Sequence, residues 1–313
     1  MFAKLRFSRS DRPMAGPTIA ASPRSPRIAR RACAGCALAI ALGTLTTAPW
    51  EAGAAPVNCT SDTPTIIGTP GADTLTGTEG SDVIIAGAGD DTIQGLGGDD
   101  QICADAGNDR VQGGKGDDRI YGGAGNDRIY GDPNEFGKFG RDFIVGDSGN
   151  DFLDGGENRD TIAGGLGHDR IIGDRLALKT LPEDYIPQAD LIVGGPGNDT
   201  VSGGSGNDNI DGGPGNDKLR GGVLDDLVTG GPGNDQLDYA FELPDGEVER
   251  EVLLRAFDGN DRLYGSEGDD ILGVRFAAVG TDTLKGREGN DTLRGRPPDS
   301  CSGGAGADIV KCK

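Results

Sequence analysis

The sequence is poor in the residues that build ordinary catalytic centres and cores. Only 5% of its 313 residues are aromatic, and it has one histidine and one tryptophan. A single histidine excludes zinc sites that need several imidazoles. The apolar fraction of 35%, set beside 57 glycines, is not that of an ordinary globular domain of this length. A disordered acidic chain or a periodic architecture fits these numbers better.

The chain also lacks a balance of charge. It carries 51 Asp and Glu against 30 Lys and Arg, which gives a net charge of −21. Such a chain repels nucleic acid and anionic membrane surfaces, and it attracts cations. We therefore expect cations as partners, with no nucleic acid and no membrane.

Long apolar runs are missing except near the N-terminus. Residues 1–32 carry eight Lys or Arg, residues 32–45 are uncharged, and residues 52–54 are small. This order predicts a secretory signal peptide, residues 1–54, and hence a secreted, extracellular protein. The apolar run is short for a transmembrane helix, although an uncleaved anchor is an alternative, as is a twin-arginine signal at 30–31. Without residues 1–54 the net charge becomes −27.

From Gly68 onward the sequence repeats every nine residues. Seven units run without interruption from GTPGADTLT to GGAGNDRIY, and five more begin at Gly194 with GGPGNDTVS. About twenty-two units can be counted to the C-terminus, each with Asp at its sixth position and an aliphatic residue at its eighth.

Each position of the unit has a physical reason. Glycine at positions one to four permits a tight turn and leaves main-chain carbonyls uncovered. Asp at position six adds a carboxylate beside those carbonyls, and Ca²⁺ prefers six to eight oxygen ligands of this kind. Positions seven to nine, as in Arg119-Ile120-Tyr121, predict a short strand whose middle residue points inward.

These units resemble the GGxGxDxUx nonapeptide of the RTX (haemolysin-type) calcium-binding repeat family. The resemblance covers nearly all of residues 68–311. It implies an all-β fold, a right-handed parallel β-roll with two repeats per turn. Each calcium would lie between the turn of one unit and that of the unit two further on, held by carbonyls and position-six Asp. Because the core would be a single file of Ile, Leu and Val, we expect folding to depend on multiple Ca²⁺ ions.

The insertions suggest that the two turns of each coil differ. Counted from Gly68, extra residues fall only in even-numbered units, near 132–141, 174–189, 239–258, 274–279 and 296–302. We therefore expect one continuous calcium row and one broken row, with the loops and any unknown extracellular partner on the broken side. The continuous row is predicted to contain Asp73, Asp91, Asp109, Asp127, Asp151, Asp169, Asp199, Asp217, Asp235, Asp270 and Asp291. The broken row is predicted to keep sites at Asp82, Asp100, Asp118 and Asp208.

The predicted organisation is a signal peptide at 1–54, an N-terminal cap segment at 55–67 and the calcium-binding roll at 68–311. In the longest insertion, 239–258, the apolar residues Val248, Val252, Leu253 and Phe257 could line one side of a short helix. That helix would pack on the roll or dock a partner.

Four cysteines remain after removal of the predicted signal peptide, namely Cys59, Cys103, Cys301 and Cys312. Because exported chains form disulfides, we predict the pairs Cys59–Cys103 and Cys301–Cys312, each of which brackets one end of the repeats. Four cysteines allow three pairings, and free thiols are the alternative.

No catalytic arrangement is apparent in the sequence. His168 occupies a turn position that holds Asn or Asp in other units, with no partner histidine and no nucleophile. The HExxH, GxSxG and P-loop motifs are missing. We therefore predict a non-enzymatic, calcium-binding structural or interaction protein. The basic residues at position seven are interpreted as charge compensation beside the Asp rows, namely Arg110, Arg119, Arg128, Arg170 and Lys218.

Two alternative functions are kept. A calcium-dependent parallel β-helix enzyme acting on acidic polysaccharide would need a basic, aromatic cleft, whereas the aromatic residues are scattered through the sequence. They include Tyr121, Tyr130, Phe143, Tyr185, Tyr239 and Tyr264. A cytolysin-like toxin would need a long apolar pore-forming region, which is missing. The N-terminal signal also departs from the uncleaved C-terminal secretion signal of RTX toxins.

Overall fold

The fold is built from short parallel strands in two sheets. The computed structural model describes residues 63–132, 140–174, 188–223, 226–238, 253–256, 260–265, 270–274, 281–286, 290–295, 298–304 and 306–312. Within these residues all regular structure is β-strand, and no helix is long and apolar enough to cross a membrane.

The strands alternate between the two sheets in chain order. Sheet A contains β1 Ile66–Ile67, β3 Val83–Ala88, β5 Gln101–Ala106, β7 Arg119–Ala124, β9 Phe143–Ser148, β11 Thr161–Leu166, β13 Leu191–Val193, β15 Asn209–Asp211, β17 Leu227–Thr229, β19 Leu253–Ala256, β21 Ile271–Val274, β23 Thr292–Arg294 and β25 Ile309–Val310. Sheet B contains β2 Thr74–Thr76, β4 Thr92–Gly97, β6 Arg110–Lys115, β8 Arg128–Tyr130, β10 Phe152–Gly156, β12 Arg170–Asp174, β14 Thr200–Ser205, β16 Lys218–Val223, β18 Gln236–Asp238, β20 Arg262–Tyr264, β22 Thr283–Lys285 and β24 Ser300–Ser302.

Two nine-residue units make one turn, as predicted. Each strand pairs in parallel with the strand two further along the chain, so that Ile84 aligns with Ile102 and Ile93 aligns with Val111. The all-β class and the parallel β-roll predicted from the repeat are therefore confirmed.

The core consists of the eighth-position side chains, which point inward from both sheets. Sheet A contributes Ile84, Ile102, Ile120, Ile144, Ile162, Ile192, Ile210, Val228, Leu254, Leu272 and Leu293. Sheet B contributes Ile93, Val111, Ile129, Leu153, Ile171, Val201, Leu219, Leu237, Leu263 and Leu284. All of these are at most 2% exposed and belong to one cluster. The expectation of a single file is wrong, because consecutive units contribute to two files, one per sheet.

The first two insertions leave the stack of strands intact. Paired residues that are normally 18 apart are 24 apart across residues 133–139 and 30 apart across residues 175–187. The flanking strands nevertheless pair in register, β8 with β10 and β12 with β14. The insertions therefore add residues to turns without shifting the ladder.

The third predicted insertion, 239–258, contains an additional strand. Leu253–Ala256 is β19, which pairs with β17 and β21, and Leu254 is fully buried in the core. The helix predicted through Leu253 is wrong at these residues because the stretch supplies a missing strand of sheet A. Residues 239–252 lie outside the described residues. Every unit after β19 consequently changes from one sheet to the other relative to the count from Gly68.

The last two predicted insertions also need correction. Residues 275–280 connect β21 of sheet A to β22 of sheet B, whereas the earlier insertions precede strands of sheet A. Insertions thus occur on both sides of the roll, and the prediction of one decorated side is wrong. Residues 296–302 are not an insertion, because β24 places Cys301 opposite Leu284 and the spacing along the ladder falls to 17.

One of the two predicted disulfides is present in the described residues. Cys301 and Cys312 form a disulfide with a Cα–Cα distance of 6.1 Å, as predicted. Cys103 is also disulfide-bonded, but Cys59 lies outside the described residues, so their pairing stays a prediction. The predicted signal peptide, 1–54, also lies outside them. Of the predicted cap segment, 55–67, Ile66–Ile67 is already the first strand of sheet A.

Candidate metal centres

The position-six Asp residues lie at the turns where the chain enters each sheet. Between Asp82 and Asp291 their side chains are at most 6% exposed. An Asp side chain is rarely buried to this degree without a partner. The turns of this protein are therefore lined internally by carboxylates.

These carboxylates form ladders through their Oδ1 atoms. The N–H of Asp91 donates to Asp109 Oδ1 at 2.7 Å, and the N–H of Asp109 donates to Asp127 Oδ1 at 2.8 Å. The ladder that precedes the strands of sheet B, the B row, contains Asp73, Asp91, Asp109, Asp127, Asp151, Asp169, Asp199, Asp217, Asp235, Asp261, Asp282 and Asp299. The ladder that precedes the strands of sheet A, the A row, contains Asp82, Asp100, Asp118, Asp142, Asp160, Asp190, Asp208 and Asp226, and later Asp270, Asp291 and Asp308.

The Asp residues of the predicted continuous calcium row lie in one ladder from Asp73 to Asp235 but not beyond it, and their binding of calcium stays a prediction. Asp235 is followed by Asp261, whose Oδ1 accepts its N–H at 2.7 Å. Asp270 and Asp291 lie in the A row instead. The physical reason is β19, which occupies one place in sheet A and moves each later Asp to the other row.

The A row is not broken where the sequence suggested. Four of its members were missed, namely Asp142, Asp160, Asp190 and Asp226. The available signal was an Asp followed two residues later by an aliphatic residue, a pattern that these residues share with the other units. Between Asp226 and Asp270 the row does lose a member, because the residue two before Leu254 in sequence is Val252 rather than Asp.

The second carboxylate oxygen of the interior members is buried and accepts no hydrogen bond. This holds for Oδ2 of Asp91, Asp100, Asp109, Asp118, Asp127, Asp142, Asp151, Asp160, Asp169, Asp190, Asp199, Asp208, Asp217 and Asp235. Buried polar atoms are almost always satisfied in proteins. A repeated, buried, unsatisfied carboxylate oxygen is the property expected of a cation ligand.

Main-chain carbonyls lie beside the same oxygens. A β-carbon added to Gly95 would meet both Asp100 Oδ2 and the carbonyl oxygen of Gly113 in the next turn of the row. The same pair of contacts recurs at Gly146 and Gly203. No three His, Cys, Asp or Glu side chains converge on one point among the described residues. The ligand set must therefore combine carboxylates with carbonyls, and such oxygens suit Ca²⁺.

The electrostatics require a cation or protons. The ion pair found among the described residues, Arg141–Asp117, lies on the surface outside both rows. Burial raises the pKa of Asp109 to about 7 and of Asp118 to about 8. The ladder hydrogen bonds lower these pKa values in part, and neighbouring carboxylates raise them further. Carboxylates so arranged stay ionised at neutral pH only with neutralising cations.

The first members of the rows differ from the interior ones. Asp73 Oδ2 accepts hydrogen bonds from the N–H and the hydroxyl of Thr69, at 2.6 and 2.9 Å. Asp82 Oδ2 accepts the equivalent pair from Thr78. Burial raises the pKa of Asp82, but these hydrogen bonds outweigh it and hold the pKa below its ordinary value. Threonine thus satisfies the carboxylates where the ladder begins, and the prediction that Asp73 and Asp82 bind metal stays untested.

The middle of the A row carries additional carboxylates. Asp132, 6% exposed, lies at a turn position that is usually glycine, and its Oδ2 accepts the N–H of Glu157 at 3.1 Å. Burial and the neighbouring Asp142 raise the pKa of Asp132 to about 9. Burial together with Asp174 raises the pKa of Asp190 to about 9 as well. This segment therefore places additional buried carboxylates beside the A row.

The single histidine belongs to the outer part of a B-row turn. The N–H of His168 donates to Asn150 Oδ1 at 2.8 Å, and its Nδ1 accepts the N–H of Asn198 at 2.7 Å. Asn side chains make the same contacts in neighbouring turns, as between Asn216 and Asn198. The interpretation of His168 as a turn residue is confirmed.

Comparison with known families agrees with this geometry. The model of the RTX calcium-binding nonapeptide repeat matches residues 67–102, 104–133, 136–171, 187–219, 211–240, 253–272 and 276–296. No curated protein sequence shows significant similarity to the chain. The family matches span more than half of the 313 residues, and they coincide with the two-sheet roll and its ladders of buried Asp. The chain belongs to the RTX calcium-binding nonapeptide repeat family.

Proposed function

We propose that this protein is an exported calcium-binding module whose folding is driven by Ca²⁺ bound along the A and B rows. The observation that carries the proposal is the series of buried Oδ2 atoms that accept no hydrogen bond. Several of them lie beside a turn carbonyl, as at Asp100 and Gly113. Calcium would replace the missing partner and neutralise the row.

The ligands in this proposal are Oδ2 of the row Asp residues and glycine carbonyls of the adjacent turns. They comprise the interior Asp residues predicted from the sequence, with Asp142, Asp160 and Asp190 added from the A row. Because consecutive members of a row are linked through Oδ1, each ion would stabilise two neighbouring turns. Binding and folding are then one process, as in other metal-dependent domains.

Export and a non-catalytic role complete the proposal. The Cys301–Cys312 disulfide supports an oxidising compartment, where such bonds persist. Outside the cell, modules of this kind bind Ca²⁺ at roughly 10⁻⁴–10⁻³ M. A chain that needs calcium at such concentrations to fold would stay unfolded inside the cell and fold once it is exported. N-terminal sequencing of protein recovered from the medium should begin at Ala55, whereas an intact Met1 on that protein would contradict the signal peptide.

The test of calcium-driven folding is a far-ultraviolet circular dichroism titration of the purified protein after EDTA treatment. We expect a cooperative gain of β signal with Ca²⁺ and none with Mg²⁺, because Mg²⁺ demands rigid octahedral geometry and keeps its water. A β spectrum that persists unchanged in EDTA at neutral pH would overturn the proposal. An equal response to Mg²⁺ would overturn the assignment of calcium.

A further inference from the structure

The outer face of sheet B is basic, although the chain as a whole is strongly acidic. Seven exposed Lys or Arg side chains project from it, on the residues before and after the core position. They are Arg110, Arg128, Arg170, Lys218, Arg220, Arg262 and Lys285. Asp154, which is buried, and Asp238 are the acidic residues at equivalent positions of this sheet. Charge compensation alone would distribute cations over both sheets, yet sheet A carries Arg119, Arg255 and Arg294 in its strands.

Aromatic rings lie among these cations. Tyr130 and Phe152 are on neighbouring strands, with ring centroids 5.7 Å apart. The guanidinium carbons of Arg128 and Arg170 lie 5.0 and 5.7 Å from the centroid of Phe152, one on each side along the stack. Tyr130 and Phe152 are therefore neighbours on this sheet although they are far apart in the sequence, because 24 residues along the chain correspond here to one step between strands.

The rings hold the cations in place. Arg110 lies 5.4 Å from the centroid of Tyr130, and Lys285 lies 5.6 Å from that of Tyr264. A cation resting on a ring loses less freedom when it binds an anion. Preorganisation of this kind raises affinity without additional contacts.

Between the cations the face is lined by small polar side chains. A shallow depression of about 510 Å³ lies over β12 to β18, with Thr200 and Ser202 between Arg170 on one side and Lys218 and Arg220 on the other. The hydroxyl groups can both donate and accept hydrogen bonds. On this face, cationic side chains that can bind anions thus alternate with hydroxyl side chains that can bind neutral hydroxyl groups.

We propose that the outer face of sheet B binds an acidic polysaccharide, a chain of sugars that carry carboxylates. Strands lie about 4.8 Å apart, and the cations recur at one or two strand intervals. That spacing suits a polymer with one charge per sugar or per pair of sugars. Hydroxyls of the sugars match Thr200 and Ser202, and their apolar faces match the rings of Tyr130 and Phe152.

Charge density argues against nucleic acid on the same face. The two Asp rows flank sheet B along both edges, and the net charge is −21. Duplex DNA carries one charge per about 1.7 Å, a density that cations recurring at one or two strand intervals of about 4.8 Å do not match.

The test is isothermal titration calorimetry of the calcium-loaded protein at physiological ionic strength. The probe is a short oligogalacturonate, and the control is the same oligosaccharide with methyl-esterified carboxyl groups. We expect binding of the acidic form and at least about tenfold weaker binding of the ester, since a lost charge-assisted contact is worth roughly one decade. Equal binding of both forms would overturn the proposal. Tighter binding of a single-stranded oligonucleotide or of phosphatidylserine vesicles would also overturn it.

Matched variants localise the site. The Arg128→Gln/Arg170→Gln pair removes the cations on either side of Phe152, and it should weaken oligogalacturonate binding about tenfold or more. The Arg119→Gln/Arg255→Gln pair removes two exposed arginines from sheet A and should leave binding unchanged. Equal losses in both pairs would contradict a site on sheet B.

Folding is monitored separately in each variant. All variants should show the calcium-dependent circular dichroism of the parent protein. If the Arg128/Arg170 variant does not, the exposed pair Lys218→Gln/Arg220→Gln replaces it with the same expected loss. A protein that folds with calcium but binds no oligogalacturonate would sink this proposal alone and leave the calcium proposal standing.

Discussion

The A row and the B row are built from the same nine-residue unit and have the same inner ladder, but their outer turns differ in how far a second ladder extends. In the B row a second ladder of position-five side chains runs along the outside of the turns. It comprises Asp90, Asn108, Asn126, Asn150, His168, Asn198, Asn216, Asn234, Asn260 and Thr281, each of whose N–H groups after the first is bonded to the preceding side chain. In the A row the same kind of bond joins Asp117 to Asp99 and Arg141 to Asp117. Arg141 and Arg159 carry no side-chain acceptor that could continue it, and the insertions 133–139 and 175–187 occur on this side.

The difference separates what the roll requires from what it tolerates. The Oδ1 ladder is intact in the A row on both sides of the insertions, as from Asp118 to Asp142 and from Asp160 to Asp190. At the step from Asp160 to Asp190 the ladder is intact although the residue at the outer position, Arg159, offers no acceptor for an outer-ladder bond. The inner carboxylates, and hence whatever neutralises them, are the structural requirement, whereas the outer turn can vary in length and charge.

The largest expected effect is the pH dependence of the metal-free protein. The ordinary Asp pKa is 3.8, whereas burial raises it to about 6 at Asp169 and about 9 at Asp190. A raised pKa in the folded state means that protons stabilise the fold at low pH and that this stability is lost as pH rises. We expect the metal-free protein in EDTA to be most stable near pH 5 and to lose its folded structure as the pH rises towards 8, and a gain of stability over that window would contradict the burial of unneutralised carboxylates. Calorimetry can follow the transition.

Calcium binding should release protons from the Asp carboxyl groups of the rows between pH 5 and pH 8. The A row should release more, because the pKa of Asp190 lies above that of Asp169. Titrations in buffers of different protonation enthalpy measure this number, and an identical proton count for Asp190→Asn and the parent would contradict the assignment.

The second effect is the loss of one ladder member. Asp169→Ala in the B row and Asp160→Ala in the A row each remove an Oδ1 acceptor and an Oδ2 ligand. In saturating calcium we expect each to lower the free energy of unfolding by about 2–4 kcal/mol. Denaturant titration of both variants measures this, and a loss confined to Asp169→Ala would show that the A row binds no metal.

A smaller effect should have opposite signs with and without calcium. Asp132 adds a buried carboxylate beside Asp142. Asp132→Asn should stabilise the metal-free protein by about 1 kcal/mol at pH 5, because it removes a carboxylate that must take up a proton on folding, and it should weaken calcium binding in the calcium-loaded protein. The matched control is Asp105→Asn, at the same position of a B-row turn but exposed. Equal effects of the two substitutions would contradict the concentration of charge in the A row.

The smallest effect concerns the outer ladder. His168→Asn keeps an acceptor for the N–H of Asn198, and it should change the free energy of unfolding by less than about 0.5 kcal/mol at pH 8. His168→Ala removes that acceptor from an exposed turn and should cost about 1 kcal/mol. Thermal unfolding of the two variants in calcium distinguishes them. A large loss on His168→Asn would indicate a further role for the imidazole.

Much of this arrangement could be predicted from the period alone. Nine-residue spacing of Asp and aliphatic residues predicts the strands, the core positions and the B row as far as Asp235. The unit that contains Leu254 escaped detection because its turn lacks the glycine and Asp by which units were counted. Counting aliphatic core residues instead would have found it, since Leu254 and Leu263 are nine apart.

The basic aromatic face could not be predicted for a different reason. Tyr130 and Phe152 are far apart in the chain and belong to different repeats. Their contact arises because β8 and β10 pair in register although the paired residues are 24 apart in the sequence. The sequence period predicts the order of the strands. To predict which side chains are neighbours on adjacent strands, however, the residues of each insertion must first be left out of the count.

Because paired residues are 18 apart, the number of nine-residue units that precede a strand decides to which of the two sheets the strand belongs. A duplication or loss of two units leaves every downstream side chain on its own sheet. A change of one unit exchanges the sheets from that point onward. The stretch that contains Leu254 has lost its Asp but still counts as one unit, and it keeps Arg262 and Lys285 in phase with Arg110. A degenerate repeat of this kind therefore sets the sheet to which every later strand belongs. Deleting exactly this unit would move each downstream strand to the other sheet and rearrange the exposed side chains, although the sequence of each remaining repeat would be unchanged.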